Sequence, residues 1–160
     1  MLKLHHDDSL RYYIENYKIN NMFDVNLNSH MELHCFNTNE LIVLKNTTPN
    51  YLYFLVEGTA IKLENSFDTN NILKPSINNL NIIGSLEMFT QNKFEYSLRA
   101  LDECIFIGIP ISIIKDVAFK DPTFLSYFCK SFANFIYNNN LEISFLKRKR
   151  CYIASYKGNR

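Results

Sequence analysis

Hydrophobic positions change their spacing several times along the chain. Over residues 9–18, Leu10, Tyr13, Ile14 and Tyr17 recur at helical spacing, behind Asp7, Asp8 and Ser9 as candidate caps. From Met31 the period becomes two. In MELHCF, Met31, Leu33 and Cys35 share one face, and Glu32 and His34 share the other. ELIVL (residues 40–44) follows, then polar KNTTPN, then YLYFLVEGTAIKLE. That last run reads as a hairpin of two strands joined at Glu57-Gly58, with Ala60, Lys62 and Glu64 alternating against Ile61 and Leu63. NSFDTNN ends it, ILKPSINNLNII resumes with Pro75 interrupting, and YSLRAL and CIFIGI are the final strands. CIFIGI is apolar throughout and is expected to be buried. Short strands with turn signals roughly every ten residues predict a small antiparallel barrel or sandwich.

At Pro110 the character changes. PISIIKDVAF has proline at a first helical position, with Ile113, Ile114, Val117 and Ala118 on one side. Asp121 and Pro122 then cap and open a further helix, along which Leu125, Phe128, Phe132 and Phe135 repeat at 3–4 spacing. Ile143 and Leu146 continue the stripe beyond a polar gap at residues 138–140. Such a helix would run about seven turns, against a globular average of about three. Its stripe needs cover, either from the barrel itself or from a twin helix in a homodimer.

Composition narrows the function classes. A length of 160 residues fits one domain, or one domain with a long appended helix, and the 47 % hydrophobic content is enough for a core. The formal charge of +1 gives no whole-molecule bias toward nucleic acid or acidic partners. MLKLHHDDS lacks the apolar core of a signal peptide, and no apolar run reaches a membrane-spanning length of about 18 residues. Cys35, Cys104, Cys129 and Cys151 are scattered without a C-x-x-C pair, which fits reduced thiols and a cytoplasmic location. Glycine is scarce (four) and asparagine abundant, so asparagine is expected to take over tight turns.

The order of these elements resembles the cyclic-nucleotide-binding domain of the Crp/Fnr family of bacterial transcription regulators. YLYFLVEGTAIKLE looks like its paired strands with glycine (Gly58) at the turn. IIGSLEMF resembles its phosphate-binding cassette, with Ile83 and Gly84 leading into a short helix. LRALDECIFIGIP resembles its return strand, and DPTFLSYFCKSFANF looks like the start of its dimerisation helix. The resemblance covers roughly residues 33–146. It implies a mostly β fold with α, an antiparallel β-roll over residues 1–120 with an N-terminal helix, then a long dimerisation helix over 121–150. Residues 151–160 would begin a hinge or a C-terminal DNA-binding region. Leu125, Phe128, Phe132 and Phe135 would form the dimer seam, and DNA would be bound by a helix-turn-helix outside these 160 residues.

In cAMP-binding members, amides at the start of the cassette helix receive the cyclic phosphate. A glutamate after the glycine binds the ribose, and an arginine about eleven or twelve residues on pairs with the phosphate. Gly84 and the turn Ser85 to Phe89 could still present these amides. The glutamate position holds Ser85, Glu87 is expected to point elsewhere, and the arginine position falls on Glu95 or Tyr96. Two basic residues are candidate substitutes. Lys93 would supply a point charge, while Arg99, at an odd offset from Tyr96 on a strand, is expected to face away. A charge-assisted hydrogen bond contributes about 1.5–3 kcal/mol and a bidentate pair makes two, so affinity for cAMP should fall roughly tenfold to a thousandfold or more. The expected site is therefore a degenerate cassette of Gly84, Ser85, Leu86, Glu87, Lys93 and Tyr96, with no cofactor and no response to cAMP. Its pocket either binds another effector or is filled by Phe94, Tyr96 and neighbouring aromatics.

Other chemistries find little support in the sequence. No cysteine cluster precedes Cys35 to hold the iron–sulfur centre of the Fnr branch, and Cys104 and Cys129 are expected to be buried structural thiols. His5, His6, His30 and His34 do not form a metal-dependent cupin arrangement, and no nucleophile elbow or phosphate loop occurs, so an enzyme is not expected. The KRKR run at residues 147–150 is read either as a solvated helix end or as a contact to DNA phosphates.

Overall fold

In the computed structural model, which describes residues 2–4, 7–63, 72–76 and 80–137, the alternating segments form two antiparallel sheets. The first sheet has the order β1 (Leu2–Leu4), β2 (Glu32–Phe36), β9 (Cys104–Pro110), β4 (Tyr51–Glu57) and β7 (Ile82–Ile83). The second has the order β3 (Leu41–Val43), β8 (Ser97–Ala100), β5 (Ala60–Leu63) and β6 (Ile72–Leu73). Helices α1 (Asp7–Asn16), α2 (Ser85–Thr90), α3 (Ile111–Asp116) and α4 (residues 122–137) complete the described part. This is a β-roll with an N-terminal helix. Ile143, Leu146, the KRKR run and Cys151 lie outside the described residues.

The hairpin expected at Gly58 does not form. β4 pairs with β9 and β7, whereas β5 pairs with β8 and β6, so the chain passes from one sheet to the other at Gly58. The step from β8 to β9 crosses at the same corner. There the Thr59 amide donates to Asp102 Oδ1 (2.5 Å), and the Leu101 amide donates to the Thr59 carbonyl (2.8 Å). Gly58 takes φ +85°, and a Cβ on it would lie 2.2 Å from the Glu103 carbonyl oxygen. A sharp turn between two apolar runs has the same local chemistry whether the chain folds back or turns a corner. Asn39 and Asn46 also adopt left-handed backbone, φ 68° and 66°, as the asparagine-rich composition suggests.

The first sheet is buried on both faces, which accounts for the continuous apolar character of β9. Leu33, Leu52, Phe54, Val56, Ile107 and Ile109 face the helices and join Ile14, Met88, Ile114, Phe124 and Phe128 in one cluster. Phe36, Tyr53, Leu55, Cys104 and Phe106 face the second sheet and pack with Ile42, Val43, Ala60, Leu98 and Ala100 inside the roll. His34 lies on this inner face and is fully buried, so the polar side of MELHCF points into the roll rather than to solvent. Burial pushes the Cys104 thiol up to about 11, where it stays protonated and donates to the Thr59 carbonyl at 3.2 Å. Cys129, expected to be buried, is exposed on α4.

At the C-terminal side, Pro110 ends β9 and immediately precedes α3 rather than being its first residue. Asp121 caps α4 as expected, accepting from the amides of Thr123 (2.9 Å) and Phe124 (3.2 Å). It also accepts from Asp24 (2.7 Å) and Val25 (3.1 Å), tying the segment after α1 to the start of α4. Among the described residues no helix is long and apolar enough to cross a membrane.

Candidate functional site

The cassette is built around Gly84. Its φ of +89° turns β7 into α2, and its carbonyl accepts from the Met88 amide at 2.9 Å. A Cβ there would approach the Tyr51 carbonyl to 3.0 Å and Pro49 Cβ to 3.4 Å, so the backbone can sit this close only as glycine. Gln91, also left-handed at φ 58°, ends α2. The chain then returns through Phe94, which is pinned to the β3–β4 loop by two backbone bonds. Its amide donates to the Thr47 carbonyl (2.9 Å), and its carbonyl accepts from the Asn46 amide (2.8 Å).

Phe94 is 3 % exposed and packs into the roll interior. Beside it opens a cleft of about 310 Å³, walled by residues 41–44 of β3 and its exit, residues 47–50, Tyr51, Tyr53 and Phe94. Its inner end meets the cassette, because Pro49, the Tyr51 carbonyl and Phe94 are also the atoms nearest Gly84. None of the lining residues is charged.

Each expected cassette residue has a definite place. Ser85 is half-buried, Leu86 projects outward at 58 % exposure, and Lys93 is exposed. Tyr96 is half-buried, edge-on to Phe94 at 5.8 Å, with Lys62 Nζ 4.6 Å from its ring centre. Glu87 is buried, only 8 % exposed, and is not among the residues that line the cleft. Desolvation pushes its carboxyl above the ordinary glutamate value, against the pull of its own amide and of Lys62, while Glu95 reinforces the rise. Glu95 itself is exposed. Lys62, two residues from Ala60 and so on the same face of β5, brings a cation to this group. Arg99 lies on the opposite face of β8 from Leu98 and Ala100, which point into the roll.

A second polar group lies on the inner face of the first sheet. His34 Nδ1 is 2.8 Å from the Tyr53 hydroxyl, and its Nε2 is 3.0 Å from Glu32 Oε2. With Tyr53 donating to Nδ1 and the Nε2–H donating to the carboxylate, a neutral imidazole satisfies all three groups. Burial, with Tyr51 and Glu32 adding to it, raises the Tyr53 hydroxyl far above its ordinary value, so it remains a donor. Gly108 makes room for this group: a Cβ there would meet Tyr53, Tyr51 and His34 at 3.0–3.3 Å.

The helix residues expected to form a dimer seam divide into two sets. Phe128 is 2 % exposed in the chain's own core, and Leu125 and Phe132 pack against that core. Phe135, with Ile136 and Tyr137, is exposed at 58–68 %. Phe89 of the cassette helix touches this aromatic group directly, with ring centres 5.3 Å from Phe119, 5.4 Å from Phe128 and 5.7 Å from Phe132. Among the described residues no group of three or more His, Cys, Asp or Glu side chains converges to hold a metal ion.

This arrangement has the fold of cyclic nucleotide-binding domains. A cyclic nucleotide-binding domain from Methylobacillus flagellatus superposes with a TM-score of 0.60 at 13 % identity, covering 86 % of this chain and 84 % of that one. The catabolite activator protein of Thermus thermophilus gives 0.58 at 13 % identity over 74 % of this chain, which spans 56 % of that protein's length. A regulatory subunit of a cAMP-independent protein kinase A from Trypanosoma brucei gives 0.53 at 13 % identity, covering 78 % of this chain and 49 % of that one. No protein-family model matches the sequence, and no curated protein does.

Proposed function

We propose that this chain is the sensory portion of a Crp/Fnr-type transcription regulator, homodimeric and cytoplasmic, whose cassette does not take cAMP and which has no enzymatic activity. One observation carries the reading: the space beside Gly84 has an uncharged lining, and the buried ionisable group of the cassette helix is the Glu87 carboxylate. A cyclic phosphate placed there would find no charge-assisted partner in the lining. The superposed regulatory subunit from Trypanosoma brucei belongs to a protein kinase A described as cAMP-independent, which is in keeping with this reading.

Transmission would run through Phe89. Its contacts with Phe119, Phe128 and Phe132 make any shift of α2 a repacking of α4, because close-packed aromatic clusters do not deform freely. Phe135, Ile136 and Tyr137 are the exposed apolar residues of α4 available to a twin helix. Phe132→Glu would damage the chain's own core, so Phe135→Asp is the cleaner test. Sedimentation should give a dimer for the wild type and a folded monomer for Phe135→Asp; a monomeric wild type would remove the dimer from the reading.

The second reading is a stand-alone dimeric interaction module that does not touch DNA, and the uncharged pocket lining is equally compatible with it. The intact mass of the endogenous gene product separates the two. A mass several kilodaltons above 18.9 kDa, with a helix-turn-helix in the added sequence, supports the regulator. A mass equal to this chain gives the interaction module precedence.

A further inference from the structure

Helices cover the first sheet, but the outer face of the second sheet keeps apolar side chains in solvent. Strand registers set Leu41 opposite Arg99, Arg99 opposite Ile61, and Ile61 opposite Ile72, giving one continuous row across all four strands. Leu41 and Ile72 are 45 % and 44 % exposed, with Leu63 (36 %) on the same side as Ile61. Arg99 occupies the middle of the row. Its Nε is shut off from solvent and has no hydrogen-bond partner among the described residues. A buried, unsatisfied donor on a cationic group is costly, and an apolar patch around it is unusual for a surface left to water.

We infer that this face is a docking surface for a partner protein that presents an aspartate or glutamate set among apolar side chains. The carboxylate would accept from the Arg99 guanidinium, whose forked donors match its two oxygens, and the flanking apolar groups would cover Leu41, Ile61 and Ile72. A second copy of this chain fits poorly. A two-fold axis through the row would set guanidinium against guanidinium, since such an interface apposes the same patch on both copies. Leu41 also walls the cleft beside Gly84, so Arg99→Gln and Ile72→Ser, at residues that do not line it, separate this surface from the cassette.

The test is a displayed library of random dodecapeptides panned on the immobilised full chain. Enriched peptides should carry a carboxylate with apolar neighbours, and their affinity should fall about tenfold or more for Arg99→Gln, the loss of one charge-assisted contact. Leu41→Ser and Ile72→Ser, both at exposed positions, should weaken the same peptides without lowering the unfolding midpoint. The proposal is overturned by no enrichment, by enriched peptides without an acidic residue, or by equal binding to wild type and all three variants. Self-association abolished by Leu41→Ser would assign the face to a second copy and equally overturn it.

Discussion

Gly58→Ala should destabilise the protein by about 3 kcal/mol or more, read as a lowered urea midpoint at unchanged slope. Two effects combine. At φ +85° an alanine is held in a backbone region that L-residues rarely adopt, and its methyl group would lie 2.2 Å from the Glu103 carbonyl and 2.8 Å from Cys104 Cα. Both obstructing atoms are backbone, so no rotamer change relieves the clash. They belong to the segment by which the chain crosses back from the second sheet to the first, and moving it would pull Cys104 and Phe106 out of the roll interior. A loss below about 1 kcal/mol would mean that this corner is loose and the two crossings are not wedged together.

Asp121→Ala should cost about 3 kcal/mol at neutral pH, more than an ordinary helix cap at about 1 kcal/mol. The carboxylate is 3 % exposed and accepts from four backbone amides, two in α4 and two at Asp24 and Val25. Without it, the first turn of α4 and the segment after α1 lose their shared partner together. Burial alone would raise this carboxyl, but the amides of Val25, Phe124, Asp24 and Thr123 outweigh it and hold the group below its ordinary value of 3.8. A carboxyl lower in the folded than in the unfolded chain stabilises the fold above the unfolded value, and that stabilisation is lost as pH falls through the folded value. The stability gap between wild type and Asp121→Asn should therefore be constant from pH 7 to 5 and shrink below about pH 4. Urea titrations at pH 7, 5 and 3 measure it; a gap that widens toward pH 3 would contradict the assignment.

The sequence made some features readable and concealed others, for physical reasons. Asp121 and Pro122 announced the start of α4 because capping is local chemistry, settled within four residues. Gly84 was readable for the same reason: a sharp strand-to-helix turn needs glycine wherever it occurs. Pairing was not readable at Gly58, since which sheet β5 joins depends on β8 and β6, far away in sequence. Nor could alternation tell inside from outside in the first sheet, where both faces are buried. It placed His34 on a polar side that turns out to be the interior, satisfied by Tyr53 and Glu32. The burial of Glu87 was not readable, because it depends on how α2 docks and not on its offset from Gly84. The stripe Leu125, Phe128 and Phe132 was correctly seen as apolar, but its principal partner in the described structure is Phe89 and the chain's own core.

The proposal turns on the cassette, which keeps the glycine turn into α2 while the cleft beside it has no charged lining residue to pair with a cyclic phosphate. Calorimetric titration of the full chain with cAMP and with cGMP tests this most directly. The account predicts no saturable heat for either nucleotide up to about millimolar concentration, where binding energies fall to roughly 4 kcal/mol. Micromolar binding of either one, abolished by a substitution beside Gly84, would contradict it.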